Sequence, residues 1–274
     1  ITSIDIDHTD FLGSTREEIS FEKAGIFRAN KPVVIGEPNV PQPMLEQAEK
    51  LHCHVSRRDV TWSFKANEQT WMWQSNKVRL ENLPFCQIPL ANAATALAAV
   101  EQLSFDISVD TIKRSLIEVE LVGRFQQLKG NQLEKLAEHL NVSYSQLPKV
   151  IIDVGHNPHA AKYLAEKLTV LKTQISGRII AVCGMLKDKD AESMFTQLTS
   201  VIDQWHCVTL GGYRGQSGDD LNAKLTTVCP SAKSVSEDSV IEGIQSAVKN
   251  ADKNDIVLVF GSFHTVGEFL EYLA

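Results

Sequence analysis

The stretch Lys149–Ala161, with the sequence KVIIDVGHNPHAA, decides the fold class of this 274-residue chain. Its first half, Val150–Val154, is dominated by β-branched residues, which is typical of a strand buried on both faces. Asn157 is a suitable N-cap and Pro158 a suitable first helical residue, so we expect a helix from there to about Leu171. A buried strand followed at once by a helix is the repeating unit of a parallel α/β sheet.

The same alternation repeats to the end of the chain. Further strands are predicted at Arg178–Gly184, Trp205–Leu210 and Asp255–Phe260, and helical segments follow them. Four such units predict a doubly wound, mainly parallel sheet for residues 149–274. A polar cluster follows each strand, and we therefore expect these clusters at one carboxyl edge: Asp153, His156 and Asn157; Lys187 and Asp188; Tyr213 and Arg214; Ser262 and His264.

The first 28 residues contain a second polar cluster. The apolar positions of Ile1–Ile6 indicate a strand, and Asp7–Asp10 follows it at the point where open α/β sheets bind ligands. Thr15 and Glu18 have the spacing of a capping box, which predicts a helix that ends near Lys23. The alternative interpretation is a surface loop with a hydrogen-bonded histidine.

Between these two regions the pattern is mixed. Residues Val60–Leu83 alternate and are interrupted by turn residues, which predicts a small antiparallel meander whose tryptophans pack onto the domain. Asn92 is a suitable N-cap for an Ala-rich helix that reaches Val100, and a second helix is expected over Val109–Glu118. Arg124 lies in a Gly-containing segment between helix and strand, where it either binds a phosphate or adenine group or is solvated.

Composition excludes several classes of function. The net charge is −7 and no basic block occurs, which argues against a nucleic-acid or anionic membrane surface. No apolar run approaches the roughly 18 residues of a membrane span. The five cysteines are scattered and form no CxxC pair, as expected for reduced thiols of a cytoplasmic protein. His52–His54 offers too few ligands at a recognisable spacing for zinc.

Several catalytic and nucleotide-binding motifs are absent from the sequence. It contains no G-x-G-x-x-G after a strand, no G-x-x-x-x-G-K-[ST] phosphate loop and no G-x-S-x-G elbow. The chain also begins with Ile1 inside a strand pattern rather than with methionine. We therefore expect an upstream segment to be missing, and we expect residues 1–274 alone to have no ligase activity of the kind described next.

Six segments carry a family resemblance: Ser3–Gly13, Glu22–Arg28, Asn92–Thr95, Gly123–Gln126, Asp153–Pro158 and Gly261–Thr265. Taken in this order, they resemble the folylpolyglutamate synthase/dihydrofolate synthase family of the Mur ligase superfamily. The resemblance implies three parts. Residues 1–122 would be the carboxy-terminal part of the central ATPase domain, 123–148 a hinge or linker, and 149–274 a Rossmann-like glutamate-ligase domain.

The resemblance also implies roles for seven residues. His8 is similar to a ligand of magnesium, and Lys23 to a lysine whose amine is carboxylated; Asn92, Arg124 and Asp153 are similar to residues that contact the nucleotide, and His156 and Ser262 to residues near the incoming glutamate. For His156 and Ser262 the alternative is a structural role in helix capping and strand-end hydrogen bonding.

The implied enzyme is an ATP-dependent acid–amino-acid ligase. It would join L-glutamate to dihydropteroate and to the γ-carboxylate of reduced folates through an acyl phosphate, with ATP and Mg²⁺ as cofactors. Its partners would be these small molecules, without nucleic acid or membrane, and the enzyme would be a cytoplasmic monomer. The alternatives are another Mur-type amino-acid ligase and a non-catalytic nucleotide-binding module.

Overall fold

The structure is a computed structural model, and it describes residues 1–6 and 12–274. The chain divides into two compact units, Ile1–Glu120 and Leu121–Ala274. Each unit has its own buried apolar clusters. The candidate site residues are therefore best described one unit at a time.

Helices and short strands alternate along the described residues of the first unit. They are α1 Arg16–Ala24, β1 Pro32–Ile35, α2 Gln42–Lys50, β2 His54–Arg57, β3 Trp62–Ala66, β4 Trp71–Ser75, β5 Arg79–Leu83, α3 Leu90–Val100 and α4 Val109–Glu118. Strands β1 and β2 pair in parallel, whereas β3, β4 and β5 form an antiparallel sheet in that order. The predicted meander is confirmed.

The capping box at the start of α1 is also confirmed. The Glu18 backbone N–H donates to Thr15 Oγ1 at 3.2 Å, and the Thr15 N–H donates to Glu18 Oε2 at 3.1 Å. Both bonds satisfy donors that a helix start leaves without an intrahelical partner. Helix α1 therefore starts where its local sequence directs.

The strand predicted at Ile1–Ile6 is wrong. Ile1 makes backbone hydrogen bonds to Val34 and Gly36 beside β1, at 2.9 and 2.8 Å. The pairing does not continue, because the N–H of Ile4 donates instead to the buried Glu37 carboxylate at 2.9 Å. The Glu37 side chain thus accepts the hydrogen bond that a backbone carbonyl would accept in a paired strand.

The predicted N-cap role of Asn92 is wrong as well. Helix α3 begins at Leu90 with Pro89 at its N-cap position, so Asn92 lies inside the first turn. Its backbone N–H donates to Pro89 O at 2.9 Å. Leucine and alanine are good helix formers, and they allow the helix to start before the asparagine.

The tryptophans of the meander are core residues, as predicted. Trp62, Trp71 and Trp73 are at most 2% exposed. Two of their indole N–H groups donate to backbone oxygens, Trp71 to Pro84 at 2.7 Å and Trp73 to Ala94 at 3.0 Å. Buried and hydrogen-bonded rings of this kind pack the domain and do not stack on a substrate.

The second unit is built around one six-stranded sheet. Its described elements are β6 Gln126–Gln127, α5 Asn131–Leu140, β7 Lys149–Asp153, α6 Pro158–Lys172, β8 Ile179–Cys183, α7 Ala191–Leu198, β9 Gln204–Val208, α8 Gly218–Val228, β10 Ser234–Glu237, α9 Val240–Lys249, β11 Ile256–Phe260 and α10 Phe263–Tyr272. The strand order is β10-β9-β8-β11-β7-β6, with all neighbours parallel except β6 and β7. Side chains of this sheet contribute to two separate apolar clusters, as expected when helices pack on both faces of a sheet. The predicted doubly wound architecture is therefore confirmed.

Residues 123–148, for which the sequence suggested a hinge or linker, fold within the second unit. Strand β6 extends the sheet beside β7. Leu128 and Leu136 are fully buried and Leu140 is nearly so, all in the apolar cluster that also contains Val150 of β7. The division between the units falls ahead of this segment, between Glu120 and Leu121.

Substitution of Gly36 by alanine is expected to destabilise the first unit. An added Cβ would lie 2.1 Å from Thr95 Oγ1, which is itself held by a 2.7 Å bond to Ala91 O. Overpacking of this kind costs about 1–3 kcal/mol of unfolding free energy. Urea unfolding followed by tryptophan fluorescence measures it, since three of the four tryptophans lie in this unit.

The matched control is Gly267→Ala in α10, where an added Cβ meets no heavy atom within 4 Å. In a helix interior this change is expected to be neutral or to stabilise by up to about 1 kcal/mol. Equal effects of the two substitutions would contradict the close approach of α3 to Gly36.

Candidate functional site

The carboxyl ends of β7 and β11 form the centre of the candidate site in the second unit. Asp153 ends β7 and is paired in register with Phe260, which ends β11. The two loops that leave these strands contain His156 and Ser262. Parallel strands place their following loops at one edge, so the structure brings these predicted residues to a common edge.

Asp153 is buried and hydrogen-bonded through both carboxylate oxygens. Oδ1 accepts the N–H of Gly155 at 2.6 Å, and Oδ2 accepts the N–H of Phe125 at 2.8 Å. The residue is only 7% exposed. Burial raises the pKa of Asp153, and the two N–H bonds with the nearby charges of Arg124 and His156 oppose this increase without cancelling it.

Arg124 extends an exposed guanidinium group beside this carboxylate. Its Cζ lies 5.8 Å from the centroid of the Phe263 ring, and the His156 ring lies 6.4 Å from the same centroid. Nδ1 of His156 is 3.0 Å from the carbonyl oxygen of Val154, which fixes one side of the imidazole. The Phe263 ring therefore lies near both a cation and an imidazole.

Phe263 is a site residue that the sequence reasoning missed. It is 62% exposed, although phenylalanine normally prefers burial. It follows the helix N-cap Ser262 directly, as the first residue of α10. An apolar aromatic residue at a helix start next to a polar cluster was the signal available in the sequence.

Ser262 caps α10, and its hydrogen bonds define what its hydroxyl can do. Its Oγ accepts the N–H of Thr265 at 3.0 Å and lies 2.8 Å from Thr265 Oγ1. The Thr265 hydroxyl donates to Gly184 O at 2.7 Å, so the proton between the two hydroxyls comes from Ser262. Ser262 is thus left with acceptor capacity and is not arranged as a nucleophile.

The loops after β8 and β9 are joined to each other at the same edge. Arg214 makes a bidentate ion pair with Asp188, with N···O distances of 3.0 and 2.6 Å, and the Lys187 N–H donates to Arg214 O at 2.9 Å. The hydrogen bond from Arg214 lowers the pKa of Asp188. The Lys187 ammonium lies 4.4 Å from the Tyr213 ring centroid, a cation–π contact at the surface.

The remaining predicted site residues belong to the first unit. Lys23 is half-buried in the last turn of α1, and Asn92 is half-buried in the first turn of α3. His8 lies outside the described residues. Glu37 bonds to residues on both sides of that gap, accepting the N–H of Ile4 at 2.9 Å and the Arg16 guanidinium at 3.0 Å.

Metal and membrane features are limited in the described part of the chain. Over residues 1–6 and 12–274, no three His, Cys, Asp or Glu side chains are grouped so that they could hold a metal ion. His52 and His54 accordingly form no such group. The helices of these same residues are all too short or too polar to cross a membrane.

Comparison with known proteins shows which enzymes resemble this chain. Residues 137–263 match the family described as Mur ligase, glutamate ligase domain. The dihydrofolate synthase/folylpolyglutamate synthase of Haemophilus influenzae is 69% identical over 269 residues, which cover 98% of this chain and 62% of that protein. Over nearly its whole length the chain is thus similar to dihydrofolate synthase/folylpolyglutamate synthases.

Solved structures of such synthases have the same fold. The structure of E. coli FolC in complex with DHPP and ADP is 39% identical and matches with a TM-score of 0.85 over 98% of this chain and 59% of that one. A bifunctional folylpolyglutamate synthase/dihydrofolate synthase with Mn, AMPPNP and L-glutamate bound is 40% identical, with a TM-score of 0.81 over 99% of this chain and 60% of that one. The chain thus spans about three fifths of the length of these relatives.

The buried carboxylates Asp153 and Asp255 are expected to affect stability with opposite pH dependence. Because the pKa of Asp153 is raised above 3.8 in the folded chain, its stabilising contribution is complete below that value and is lost as pH rises through the folded pKa. For Asp255, burial acts to raise the pKa, but hydrogen bonds from Arg178 and Asp252 and the Arg178 charge outweigh it and lower the pKa. The stabilising contribution of Asp255 is present above pH 3.8 and is lost as the pH falls through the pKa of the folded chain.

Urea unfolding of the wild type, Asp153→Asn and Asp255→Asn at about pH 3 and about pH 7 measures these contributions. The stability advantage of the wild type over Asp153→Asn should shrink with rising pH, and its advantage over Asp255→Asn should grow. If the stability advantage of the wild type changed with pH in the same direction for both variants, the environment described for Asp153 would be contradicted.

Proposed function

We propose that this chain is part of an ATP-dependent ligase that joins L-glutamate to dihydropteroate and to the γ-carboxylate of reduced folates. The observation that carries the proposal is the match, over 98% of the chain, to an E. coli FolC structure that contains DHPP and ADP. The chain covers 59% of that relative, so the activity belongs to the longer protein.

Arg124, Asp153 and Asn92 are each proposed as contacts of the nucleotide, the first two in the second unit and Asn92 in the first. The guanidinium group of Arg124 is exposed and lies beside an exposed aromatic ring, an environment that suits an anionic or planar ligand. Asp153 accepts the N–H of Phe125, the residue that follows Arg124. Within the first unit, Asn92 is half-buried in the first turn of α3. Arginine would neutralise charge on the phosphates of ATP, which is the main protein contribution in phosphoryl transfer.

The glutamate side of the proposed site uses His156 and Ser262. Each lies beside a helix N-terminus, α6 after Asn157 and α10 after Ser262, and helix N-termini attract carboxylates. Ser262 itself is only 3% exposed, so its proposed role is to cap α10 and hold that helix N-terminus in place. The carboxylates of a glutamate have complementary partners in these two helix N-termini.

The proposed reaction has two steps. A carboxylate oxygen of the folate substrate attacks the γ-phosphorus of ATP, which releases ADP and leaves an acyl phosphate. The glutamate amine then attacks the acyl carbon, the C–O bond to phosphate breaks, and the amine proton passes to solvent or a nearby base. The contribution of the protein is to orient the reactants and to stabilise charge.

Lys23 and His8 are proposed for the metal side of the site. The amine of a lysine can capture carbon dioxide as a carbamate, and Lys23 is proposed as the lysine that does so. Mg²⁺ would reduce the charge repulsion between the carboxylate and the phosphates when bound. Within residues 1–6 and 12–274, no three His, Cys, Asp or Glu side chains are grouped for this ion.

A cytoplasmic location is part of the proposal. No two of the five cysteines are joined in a disulfide, and Cys183 and Cys207 are buried in the sheet. Reduced, unpaired cysteines are typical of proteins in a reducing compartment.

Replacement of Lys23 by alanine is expected to lower ligase activity by at least about a hundredfold, because it removes the anionic carbamate proposed on this lysine. The assay follows ATP-dependent addition of glutamate to dihydropteroate by the product of the complete reading frame that encodes this chain. Added formate or acetate should restore part of the activity, because a short carboxylate can replace the carbamate.

Lys50→Ala is the matched control. Lys50 also lies in the last turn of a nine-residue helix of the first unit, but it is exposed. Its replacement should leave activity within about twofold, since an exposed lysine contributes little. Full activity of Lys23→Ala would remove Lys23 from the proposal, and a wild-type enzyme that adds no glutamate would refute the ligase function itself.

A further inference from the structure

Gly184 lies one residue beyond the point where β8 and β11 end side by side, at Cys183 and Phe260. Its N–H still donates to the carbonyl oxygen of Phe260 at 3.1 Å. Its own carbonyl oxygen accepts a side-chain hydroxyl instead, from Thr265 in the first turn of α10, at 2.7 Å. Thr265 is 0% exposed and Gly184 is buried, so the hydroxyl satisfies a carbonyl group that has no access to solvent.

Thr265 also takes part in the N-cap of α10. Its N–H donates to Ser262 Oγ at 3.0 Å, and its Oγ1 lies 2.8 Å from the same oxygen. Because the Thr265 hydroxyl donates to Gly184 O, it accepts the proton of the Ser262 hydroxyl. Each of the two hydroxyls therefore donates once and accepts once. A buried polar network that is fully satisfied in this way holds its members in one geometry.

The loops after β8 and β11 approach each other too closely for a side chain between them. A Cβ on Gly184 would lie 2.6 Å from Thr265 Oγ1, and a Cβ on Gly261 would lie 2.6 Å from Gly184 O. Gly261 also has a φ of 111°, a backbone conformation that favours glycine. The backbone of both loops thus fits the bond that the Thr265 hydroxyl makes.

The loop after β8 is also held by the loop after β9. Gln216, which is 8% exposed, donates its Nε2 group to Met185 O at 3.0 Å. Two consecutive carbonyl groups of the loop after β8 are therefore bound by buried side chains, one from each neighbouring loop. Loss of the Thr265 hydroxyl releases this loop from α10, whereas the bond from Gln216 remains.

We propose that Thr265 is a positioning residue for the glutamate side of the site: its hydroxyl fixes the N-terminus of α10, where a carboxylate of glutamate would bind, against the loop after β8. Thr265 is fully buried, so it acts through these groups and not by contact with the substrate. The identity of the ligand rests on the proposed function. The link between helix and loop does not rest on it, and the two are tested separately.

The first test needs no substrate. Hydrogen exchange is measured by mass spectrometry on the product of the complete reading frame that encodes this chain. Thr265→Val keeps the shape of the side chain but leaves Gly184 O without its donor, so the amides of Gly184 and Lys187 should exchange about tenfold faster. Thr265→Ser keeps the hydroxyl, and its exchange should stay within about twofold of the wild type. Unchanged exchange in Thr265→Val would overturn the proposal.

Two controls separate this effect from a general loss of stability. The amides of β7 should keep their exchange rates in Thr265→Val, and an equal acceleration there would overturn a specific link. Thr227→Val is the matched substitution, because Thr227 of α8 also donates its hydroxyl to a backbone oxygen, Ala223 O at 3.0 Å, but is exposed. It should change loop exchange and activity by less than about twofold, and an effect equal to that of Thr265→Val would contradict the proposal. If Thr265→Val does not fold, Thr265→Ala removes the same hydroxyl and gives the same expected result.

The second test uses the steady-state kinetics of the same enzyme. Thr265→Val should raise the KM for glutamate about tenfold and leave the KM for ATP within about twofold, because the bonds of Thr265 lead to α10 and the loop after β8. Thr265→Ser should restore the KM for glutamate. Equal increases in both KM values, or an unchanged KM for glutamate in a variant whose loop exchanges faster, would overturn the positioning role. If the wild-type enzyme adds no glutamate, the proposed function fails, and the exchange test still decides whether the hydroxyl links helix and loop.

Discussion

The register between β7 and β11 determines where the candidate site forms. Asp153 and Phe260 end these two strands side by side, so the loops with His156 and Ser262 leave the sheet together. A shift of one residue in this pairing would turn every side chain of β7 to the opposite face. The Asp153 carboxylate would then no longer reach the turn that contains Arg124, and the site would lose its exposed arginine.

This arrangement has an energetic cost that only a function explains well. A carboxylate with a raised pKa is buried at the end of a strand, and an adjacent phenylalanine is held at a positive φ. Each of these features reduces stability by itself. Together they hold the backbone of the turn that contains Arg124. A preorganised backbone lowers the cost of ordering a binding residue.

Much of the fold was predictable because its signals are local. The capping box at Thr15, the Asn157–Pro158 helix start and the β-branched run of β7 depend on neighbours in sequence, and all three predictions are confirmed. The start of α3 was mispredicted because residues before Asn92 already favour a helix. The segment after Gly130 looked like a polar linker, yet its leucines pack into the core of the second unit, a tertiary contact that composition does not reveal.

The residues of the candidate site were easier to predict from the sequence than their arrangement in space. Polar residues after parallel strands indicated Asp153, His156 and Ser262, whereas the exposed Phe263 and the strained turn depend on contacts between distant segments. We propose that glutamate is added through an acyl phosphate, and oxygen transfer measures this directly. With dihydropteroate labelled by ¹⁸O in its carboxylate, the product of the complete reading frame should release phosphate that contains one ¹⁸O atom for each amide bond formed. Unlabelled phosphate released with the same yield of amide would contradict the account.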